Sequence, residues 1–457
     1  MRAPNFDSTP QAGDVQRVRA PAPLTALPAP RYDWPVSPLA ARLQPTARLR
    51  VTFAALRHRN FRLYLGGQFV SLCGTWMQTV AHGWLVLTLT NSAFAVGLVS
   101  TLGALPILLF TLYGGVLADR VDKRRLIVIL QSLMLLEALA LGTLTVLHLI
   151  TVGWIIALAV FFGLLTAFEV PTRQAFVAEM VGRGELMNAI ALNSSIFNVA
   201  RVIGPAIAGV LIATVGPAGC FFANALSYVA VLVSLLRMRR EEQEPHTKRL
   251  DLLMSFREGF RYVWRERWPR ALMLLTAAFT IFGYPFMTML PVYARNELHL
   301  GASGYGALVA SVGVGAASGA LFLAGFGRPR SQARVALGAA AIFGLVLLMA
   351  AAAPGFWTAA LLFTGSGLMM ALNGIAANTL LQRQAPDHLR GRVMGFYSFT
   401  VLGLAPFGAL QIGWMAEHFG VRNAFAAGGI ICTLAAIAVA WRLTSGTRRA
   451  AARWPRL

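Results

Sequence analysis

Four ionisable side chains fall inside long apolar segments of this 457-residue chain. Glu137, Glu169, Arg201 and His82 matter because charge inside hydrocarbon is costly and is usually kept for a function. Glu137 and Arg201 fall near the middle of their segments, and a carboxyl group at that depth could carry a proton. We predict that Glu137 or Glu169 is the proton carrier and that Arg201 is its partner or contacts an anion. The alternative for Glu137 is a packing residue that faces lipid.

Two of these four residues have a favoured structural explanation. Glu169 lies close to Pro171 and Arg173 in the sequence, so we expect a local ion pair with Arg173 in preference to a transport role. His82 could titrate near neutral pH, which would suit proton coupling. A hydrogen-bonded packing histidine is nevertheless the favoured interpretation of His82.

Motifs of soluble catalysis are missing from the sequence. The chain has only two lysines, Lys123 and Lys248, and neither follows the glycine that a phosphate-binding loop requires. Its three cysteines all fall within apolar segments, and no HExxH or paired-cysteine motif occurs. We therefore predict no catalytic residue, no metal and no cofactor, and a proton gradient as the energy source.

The segments that hold these residues are long enough to cross a membrane. The chain is 57% hydrophobic and only 13% charged. Windows of about 20 apolar residues, the length that crosses ~30 Å of hydrocarbon, recur along it. We predict an all-α membrane protein with twelve transmembrane helices. The predicted spans are 61–88, 94–117, 126–149, 152–172, 189–213, 217–236, 271–293, 303–326, 335–353, 356–380, 393–417 and 422–442.

Basic residues alternate between the two sides of these spans. All but three of the 40 Lys and Arg residues fall in the tails and loops of one side. The loops of the other side hold only Arg295 and Arg422, and Arg201 lies inside a span. Because Lys and Arg collect on the cytoplasmic side, we predict that both termini are cytoplasmic. The net charge of +22 then indicates contact with anionic lipid headgroups and not nucleic-acid binding.

The spans divide into two sets of six, flanked and joined by polar segments. The first 50 residues hold nine of the 22 prolines and no apolar core, so we predict a disordered tail. A start of translation near Val51 is the alternative explanation. The predicted segments are a Pro- and Arg-rich cytoplasmic tail at 1–55, a six-helix half at 56–236, a cytoplasmic linker at 237–270, a second six-helix half at 271–443 and a basic cytoplasmic tail at 444–457.

The linker contains the sequence REGFRYVWRERWPR, in which charged and aromatic residues are mixed. This composition is typical of an amphipathic helix that lies on the inner surface of the membrane. We expect the apolar face of this helix to contact lipid. The residues predicted on that face are Phe256, Phe260, Tyr262, Val263 and Trp264.

Weak internal similarity between the halves indicates a duplication. NSAFAVGLVS after the first span resembles ASGYGALVAS after the seventh, and VIGPAIAGVLIATVG in the fifth span resembles LAPFGALQIGWMAEHFG in the eleventh. Parallel repeats place a ligand cavity at their interface, near the middle of the membrane. We therefore predict two pseudo-symmetric halves around a central cavity.

A charged hinge, defined here as residues 114–125, separates the second and third spans. Gly114 and Gly115 permit close helix approach, and Asp119 can face a helix amino terminus. The cations of the hinge can pair with carboxylates across the interface of the halves. The alternative is that the hinge only stops membrane insertion and sets topology.

The hinge resembles the loop between helices 2 and 3 of the major facilitator superfamily, which reads roughly G-x-x-x-D-R-x-G-R-R/K. The residues that fill this pattern are Gly115, Asp119, Arg120, Lys123 and Arg124. Asp122 stands where the superfamily has its second glycine. The resemblance implies the major facilitator fold over both halves and a conformational latch of the outward-facing state.

A second motif lies in the predicted fifth span. Arg201, Gly204, Pro205 and Gly209 resemble the G-P-x-x-G signature of exporters and antiporters in this superfamily. The two glycines and the helix-bending proline would form a thin, bent surface against a neighbouring helix. The resemblance implies export, and the alternative is that the motif serves only helix packing.

Four longer blocks resemble one branch of the superfamily, the transmembrane secretion effectors, which include the enterobactin exporter. They are FRLYLGGQFVSLCGTWMQTVAHGWLVLTLTNS, FEVPTRQAFVAEMV, LPVYARNELHLGASGYGAL and LRGRVMGFY. The branch implies a siderophore, a drug or another amphipathic metabolite as cargo. The fourth span lacks the intramembrane arginine motif of many drug/proton antiporters, so coupling must use other residues or the protein is a facilitator.

Polar side chains inside the spans suggest a mixed cavity. The candidate cavity residues are Asn198, Asn224, Tyr284 and Asn373. Such a cavity suits an amphipathic molecule better than a sugar. We predict a monomeric, multi-pass protein of the bacterial plasma membrane that exports a small amphipathic molecule by proton-coupled alternating access. The alternatives are an importer or lysolipid facilitator, and a transport-inactive receptor or assembly partner.

Overall fold

The computed structural model describes residues 54–238, 252–326, 332–386 and 389–445. The predicted tails at 1–55 and 444–457 lie almost wholly outside these ranges, as do residues 327–331 between the eighth and ninth predicted spans. Within the described ranges every regular element is helical, which agrees with the predicted all-α class.

Thirteen helices follow one another in the described part of the chain. They are α1 Arg59–Thr90, α2 Ala93–Ala118, α3 Lys123–Val146, α4 Val152–Gly182, α5 Gly184–Val215, α6 Pro217–Leu236, α7 Leu252–Arg265, α8 Arg267–Glu297, α9 Ala302–Phe326, α10 Gln332–Ala351, α11 Phe356–Gln384, α12 Arg390–Phe419 and α13 Val421–Ser445. Helices α4 and α5 are nearly continuous and are separated at Gly182, whose φ of 67° leaves the helical region.

Eleven of these helices are long and apolar enough to cross a membrane, counting only the described residues. Helix α7 is too short, with 14 residues. Helix α1 has 32 residues and coincides with the first predicted span, but Gln68, Gln78 and His82 lower its hydropathy. The count of twelve spans therefore stays a prediction that depends on α1.

Two glycines close equivalent turns in the two halves. Gly216 alone joins α5 to α6 with a φ of 79°, and Gly420 alone joins α12 to α13 with a φ of 85°. A side chain would be strained at either position, because this left-handed region is open mainly to glycine. The two glycines occupy matching places in the similar segments of the fifth and eleventh predicted spans.

Glycines also let the halves cross closely in two places. Between α5 and α9, a Cβ atom added at Gly306 would lie 2.6 Å from the carbonyl oxygen of Pro205 and 2.7 Å from Cα of Gly209. Between α2 and α12, a Cβ atom added at Gly97 would lie 2.6 Å from the carbonyl oxygen of Ala409. These contacts leave no room for larger residues, so the crossings bring backbone against backbone.

Helix α7 packs against the second half and not mainly against lipid. Val263 is fully buried in a cluster with apolar residues of α8, α11 and α12. The Tyr262 hydroxyl donates a hydrogen bond to the carbonyl oxygen of Gln384 at 3.1 Å. The predicted lipid contact is therefore wrong for Val263 and Tyr262, because an apolar helix face can be covered by protein as well as by lipid.

The remaining aromatic residues of α7 differ from these two. Phe260 and Trp264 are exposed, and their rings stack with centroids 5.2 Å apart. Both remain available to contact lipid, as predicted. The side chain of Phe256 lies outside the described residues. Glu258 on the same helix forms an ion pair with Arg392, which ties α7 to the start of α12.

Candidate transport site

A cavity of about 470 Å³ lies between α1, α2 and α4 of the first half and α8 and α9 of the second. Its walls are mostly apolar. The polar side chains on them are Thr75, Gln78, Thr79, His82, Ser100, Thr166, Thr288 and Tyr305. No carboxylate, lysine or arginine lines this cavity. A largely apolar cavity with a few convergent polar groups suits an amphipathic small molecule.

A buried carboxyl group lies directly behind one of these walls. Glu137 on α3 is only 2% exposed. Gln78 Nε2 donates hydrogen bonds to the two carboxylate oxygens of Glu137, at 3.0 and 3.2 Å. Since Gln78 also lines the cavity, one side chain separates the cavity from Glu137.

The hydrogen-bonded chain continues from Gln78 into α6. Asn224 Nδ2 donates to Gln78 Oε1 at 2.7 Å, and the Ser227 hydroxyl donates to Asn224 Oδ1 at 3.0 Å. Amides can present either a donor or an acceptor, and a hydroxyl can rotate. The chain can therefore adjust to a Glu137 carboxyl that is ionised or protonated without leaving a buried group unbonded.

Glu169 has the local ion pair that the sequence favoured. Its carboxylate lies 3.1 Å from the Arg173 guanidinium, one turn further along α4. Gln131 Nε2 also donates a hydrogen bond to it, at 3.3 Å. A buried carboxylate with a fixed cation is poorly suited to release and take up protons, so Glu137 is the better candidate of the two.

His82 lines the cavity but lacks the expected hydrogen bond at one nitrogen. Its Nε2 atom is buried without a partner. The ring packs edge-on against Phe221, with centroids 5.7 Å apart. The hydrogen bond expected for a packing histidine is therefore not observed at Nε2.

Arg201 does not pair with Glu137 in this conformation. No ion pair of Arg201 occurs within the described ranges, and its Nε atom is buried without a hydrogen-bond partner. Its backbone lies at the crossing of α5 and α9, where a Cβ atom added at Gly313 would be 2.7 Å from the Arg201 carbonyl oxygen. Tyr284 of α8 lies within electrostatic reach of its side chain.

The four predicted cavity residues lie outside the walls of the 470 Å³ cavity. Asn224 belongs to the Glu137 chain, and buried Asn373 donates to the carbonyl oxygen of Ala336 at 3.0 Å, between α11 and α10. Asn198 is half-buried and donates to the carbonyl oxygen of Ser194 within its own helix. Tyr284 interacts electrostatically with Arg201. The buried amides of Asn224 and Asn373 each form a hydrogen bond within their own half, so they are not free to bind a ligand.

The residues of the charged hinge have divided roles. A Cβ atom at Gly114 would lie 3.0 Å from Cα of Phe168 on α4, whereas one at Gly115 would meet open space. Asp119 is exposed and ends α2. Asp122 caps α3, and its carboxylate accepts from the backbone N–H of Arg125 at 2.9 Å. The role predicted for Asp119 at a helix amino terminus thus belongs to Asp122.

The cations of the hinge pair within the first half. Lys123 Nζ lies 2.6 Å from Glu179, and Arg124 donates to the carbonyl oxygen of Leu236 at 3.2 Å. Arg120 is exposed. Among the described residues no ion pair crosses from this hinge to the second half, so the predicted cross-half pairing is absent in this conformation.

The motif in α5 packs on both of its sides. A Cβ atom at Gly204 would lie 2.6 Å from Cβ of Trp76 on α1, and one at Gly209 would lie 3.1 Å from Cα of Ser303 on α9. The predicted thin surface is therefore present, and it lies between a helix of its own half and one of the other half.

The halves are tied together at the side predicted to be outer. Glu417 of α12 accepts hydrogen bonds from the Ser92 hydroxyl and the Phe94 backbone N–H, both at 3.1 Å. Arg295 of α8 donates to the carbonyl oxygen of Leu87 at 3.1 Å. A carboxylate thus faces the amino terminus of α2 and a cation faces the carboxyl terminus of α1, the favourable arrangement for both helix dipoles.

Sequence reasoning missed Gln78, Glu417 and Arg295 as functional candidates. Gln78 lies four residues before His82 on α1, so both fall on one helix face, and this spacing could have identified it. The other two lie at helix ends, where a charged residue is ordinary. Only the packing of the halves gives them a role.

Two groups of membrane-crossing helices that enclose a cavity, with a carboxyl group behind its wall, define a solute transporter. The family model described as transmembrane secretion effector matches residues 50–455. The chain belongs to this family, a branch of the major facilitator superfamily, and is a multi-pass membrane transporter and not an enzyme.

Several characterised proteins are similar to it over most of their length. The staphyloferrin A transporter of Staphylococcus aureus is 27% identical, over 81% of this chain and 92% of its own. The multidrug efflux pump Tap of Mycolicibacterium fortuitum is 27% identical, over 78% and 88% respectively. The enterobactin exporter EntS of Shigella flexneri is 29% identical, over 81% and 88%.

Solved structures share the fold at low sequence identity. A bacterial homologue of the lysosomal transporter Spinster aligns with a TM-score of 0.69 at 16% identity, over 91% of this chain and all of its own. A D-xylose–proton symporter aligns with a TM-score of 0.63 at 13% identity, over 82% and 95%.

Proposed function

We propose that the protein is a proton-coupled exporter of a small amphipathic molecule, working by alternating access in a bacterial plasma membrane. The proposal includes twelve spans, cytoplasmic termini and a monomeric transporter. The observation that carries it is the contact of Gln78 with both the cavity and the buried Glu137 carboxyl group. This arrangement lets a proton on Glu137 and a molecule in the cavity influence each other through one side chain.

Export is favoured by the relatives named above, which include an exporter and an efflux pump. The conformation itself fits import as well as export, because alternating access passes through an outward-closed state in either direction. The basic residues gather on the side opposite the Glu417 and Arg295 contacts, so the closed end faces outward under the positive-inside rule. In this conformation cargo would enter from the cytoplasm, and the outer end would open later in the cycle.

The coupling step follows from the chemistry of the Gln78 amide. When Glu137 is ionised, Gln78 offers its N–H groups to the carboxylate and its oxygen to Asn224. When Glu137 takes a proton, the amide can reverse and change the group that it shows to the cavity. Binding of cargo and binding of a proton would then compete, as exchange requires.

Proteoliposomes with an acidic lumen test the proposal. Ethidium and fluorescein, one cationic and one anionic amphipathic dye, would be supplied outside, and dye accumulation and proton exit would be measured together. We expect gradient-driven accumulation of at least one dye by the parent protein. Glu137→Gln should abolish the coupled flux, because no proton can then be carried there.

The matched control removes a different buried carboxylate together with its cation. The double variant Glu169→Gln/Arg173→Met should keep proton-coupled flux, since that pair has a structural role. Unchanged gradient-driven flux in Glu137→Gln would remove Glu137 from the mechanism. Binding of a dye without any gradient-dependent movement would favour the receptor alternative.

A further inference from the structure

An unpaired cation lies at the junction of the two halves, on the predicted cytoplasmic side of the cavity. The α9 wall of the cavity ends at Val309, and the Arg201 backbone touches α9 one turn beyond it, at Gly313. The Arg201 side chain is partly exposed, its Nε atom has no partner, and no carboxylate pairs with it in the described part of the chain.

Two tyrosine hydroxyls of the second half lie together near Gly374 of α11, and one of the two tyrosines interacts electrostatically with Arg201. Tyr284 of α8 lies within electrostatic reach of Arg201 and also of Tyr397 on α12. The Tyr284 hydroxyl would be 3.4 Å from a Cβ atom at Gly374 of α11, and the Tyr397 hydroxyl is 3.4 Å from the Gly374 carbonyl oxygen. Both tyrosines are partly exposed, so their hydroxyls border an accessible space.

The surface of α5 that leads to Arg201 is amphipathic. Phe197 and Asn198 precede Arg201 by about one helical turn and so fall near the same face. Phe197 is exposed and Asn198 is half-buried, and the Phe197 ring packs edge-on against Trp76 of α1 at 6.0 Å. The Asn198 amide donates to the carbonyl oxygen of Ser194, so this face presents an aromatic ring and a polar side chain about one turn from Arg201.

We propose that Arg201, with the hydroxyls of Tyr284 and Tyr397, is an anion-recognition site and that the cargo is an amphipathic anion such as a carboxylate or phenolate. An arginine partly withdrawn from water and without a carboxylate partner is compensated best by a ligand anion that accepts hydrogen bonds from it. The aromatic and aliphatic neighbours would hold the apolar body of the same molecule. This inference deepens the proposed function. It rests on that function because it takes the bound anion to be the molecule that is transported.

Equilibrium binding to the purified full-length protein tests this site without a proton gradient. The probes are tritiated naphthylacetate and its neutral isostere naphthylacetamide, measured by scintillation proximity. The parent should bind the acid at least about tenfold more tightly than the amide, the effect of one hydrogen bond to a charged group. Arg201→Met should lose that preference while keeping its affinity for the amide.

Further variants distinguish a specific loss of the anion site from a general loss of folding. Arg201→Lys should retain part of the preference, and Tyr284→Phe should weaken binding of the acid alone. Tyr262→Phe, which removes a hydroxyl of α7 that donates to the carbonyl oxygen of Gln384, should leave the preference intact. Equal affinity of the parent for both probes, no acid binding at millimolar concentration, or undiminished acid binding by Arg201→Met and Tyr284→Phe would each overturn the site.

The anion site and the proton-coupled exporter can be refuted independently by the binding and transport experiments. Selective acid binding without gradient-driven flux would uphold the anion site and refute the proton-coupled exporter. Coupled flux of ethidium with no acid preference would do the reverse. Loss of proton coupling in Arg201→Met with full acid binding would assign Arg201 to the proton path and overturn the anion site.

Discussion

The two halves of the transporter bury different kinds of side chain. Among the described residues of the first half, the buried polar or charged set is Asn60, Gln68, Ser71, Gln78, Gln131, Glu137, Glu169, Thr172, Asn224 and Ser227. In the second half it is Thr276, Thr280, Ser366, Asn373 and Thr400. Both buried carboxylates and all the buried glutamines thus belong to the first half, although both halves have similar folds.

The second half has a contiguous aromatic core in their place. Phe286 stacks on Phe363 at 5.7 Å, Phe363 meets Tyr293 at 5.5 Å, and Tyr293 stacks on Phe425 at 5.3 Å. This cluster joins α8, α11 and α13 without any ionisable group except a tyrosine. A duplicated scaffold can therefore place most of its buried polar side chains in one half and an apolar aromatic core in the other.

The helices of the second half are also less regular. Helix α8 contains π-helical turns at Phe279–Gly283 and Tyr293–Glu297, and α12 contains one at Phe399–Gly403. No such turn occurs in the described helices of the first half. Wide turns of this kind often mark functional sites in helices. The wide turns, at which a helix can kink, thus lie in the second half among the described helices.

The largest expected effect comes from comparing one buried amide in each half. Gln78→Leu should abolish proton-coupled flux, because it breaks the only observed contact between the cavity and Glu137. Asn373→Leu should retain coupling and lower stability by about 0.5–1.5 kcal/mol, the net contribution of the one hydrogen bond that it removes, because the Ala336 carbonyl keeps its bond within α10. Flux in the proteoliposome assay and thermal unfolding of the purified variants measure the two effects.

Equal loss of coupling in both variants would contradict this division of roles. It would mean that the second half also carries part of the proton path, although its described residues include no buried carboxylate. Retained coupling in Gln78→Leu would show that protons reach Glu137 without passing the cavity.

The second effect concerns the stability of the first half. Glu169→Gln alone should destabilise the protein by about 1.5–3 kcal/mol, because it leaves the half-buried Arg173 without a counter-charge. The double variant Glu169→Gln/Arg173→Met should recover most of that loss, since both charges are then removed. Thermal unfolding of the parent and the two variants checks this expected order of stability. A double variant no more stable than Glu169→Gln would argue against a structural ion pair.

The sequence predicted the helices and several local contacts well. Apolar windows located the helices, and the spacing of Glu169 and Arg173 on one helix predicted their ion pair. The glycines of α5 predicted a thin packing surface. Each of these features depends on residues close in the chain or on backbone packing that only glycine permits.

Other features could not be predicted, because they depend on how distant helices are rotated against one another. Gln78 meets Glu137 only when α1 and α3 adopt one particular register. The sequence correctly placed the apolar residues of α7 on one face of the helix. Hydropathy does not show whether lipid or α12 covers that face. Asp122 and Asp119 lie three residues apart, and only the position at which α3 begins decides which of them caps it.

The outer contacts reverse the roles of the halves. There the second half supplies the charged side chains, Glu417 and Arg295, and the first half supplies helix ends at Ser92 and Leu87. If these contacts hold the outer end closed, Glu417→Gln should favour opening by about 1 kcal/mol, a typical effect of a charge at a helix terminus. That free energy corresponds to about a fivefold change in the ratio of open to closed molecules.

Spin labels at Leu149 and Trp357, both exposed on the predicted outer side, would report this ratio as a distance distribution. Glu297→Gln is the matched control, because Glu297 pairs with Arg422 inside the second half at 2.6 Å. The control should leave the distribution unchanged while Glu417→Gln broadens it toward longer distances. Identical distributions in the two variants would assign outer closure to the glycine crossings alone, and the charged residues of the second half would then have no part in the cycle at that end.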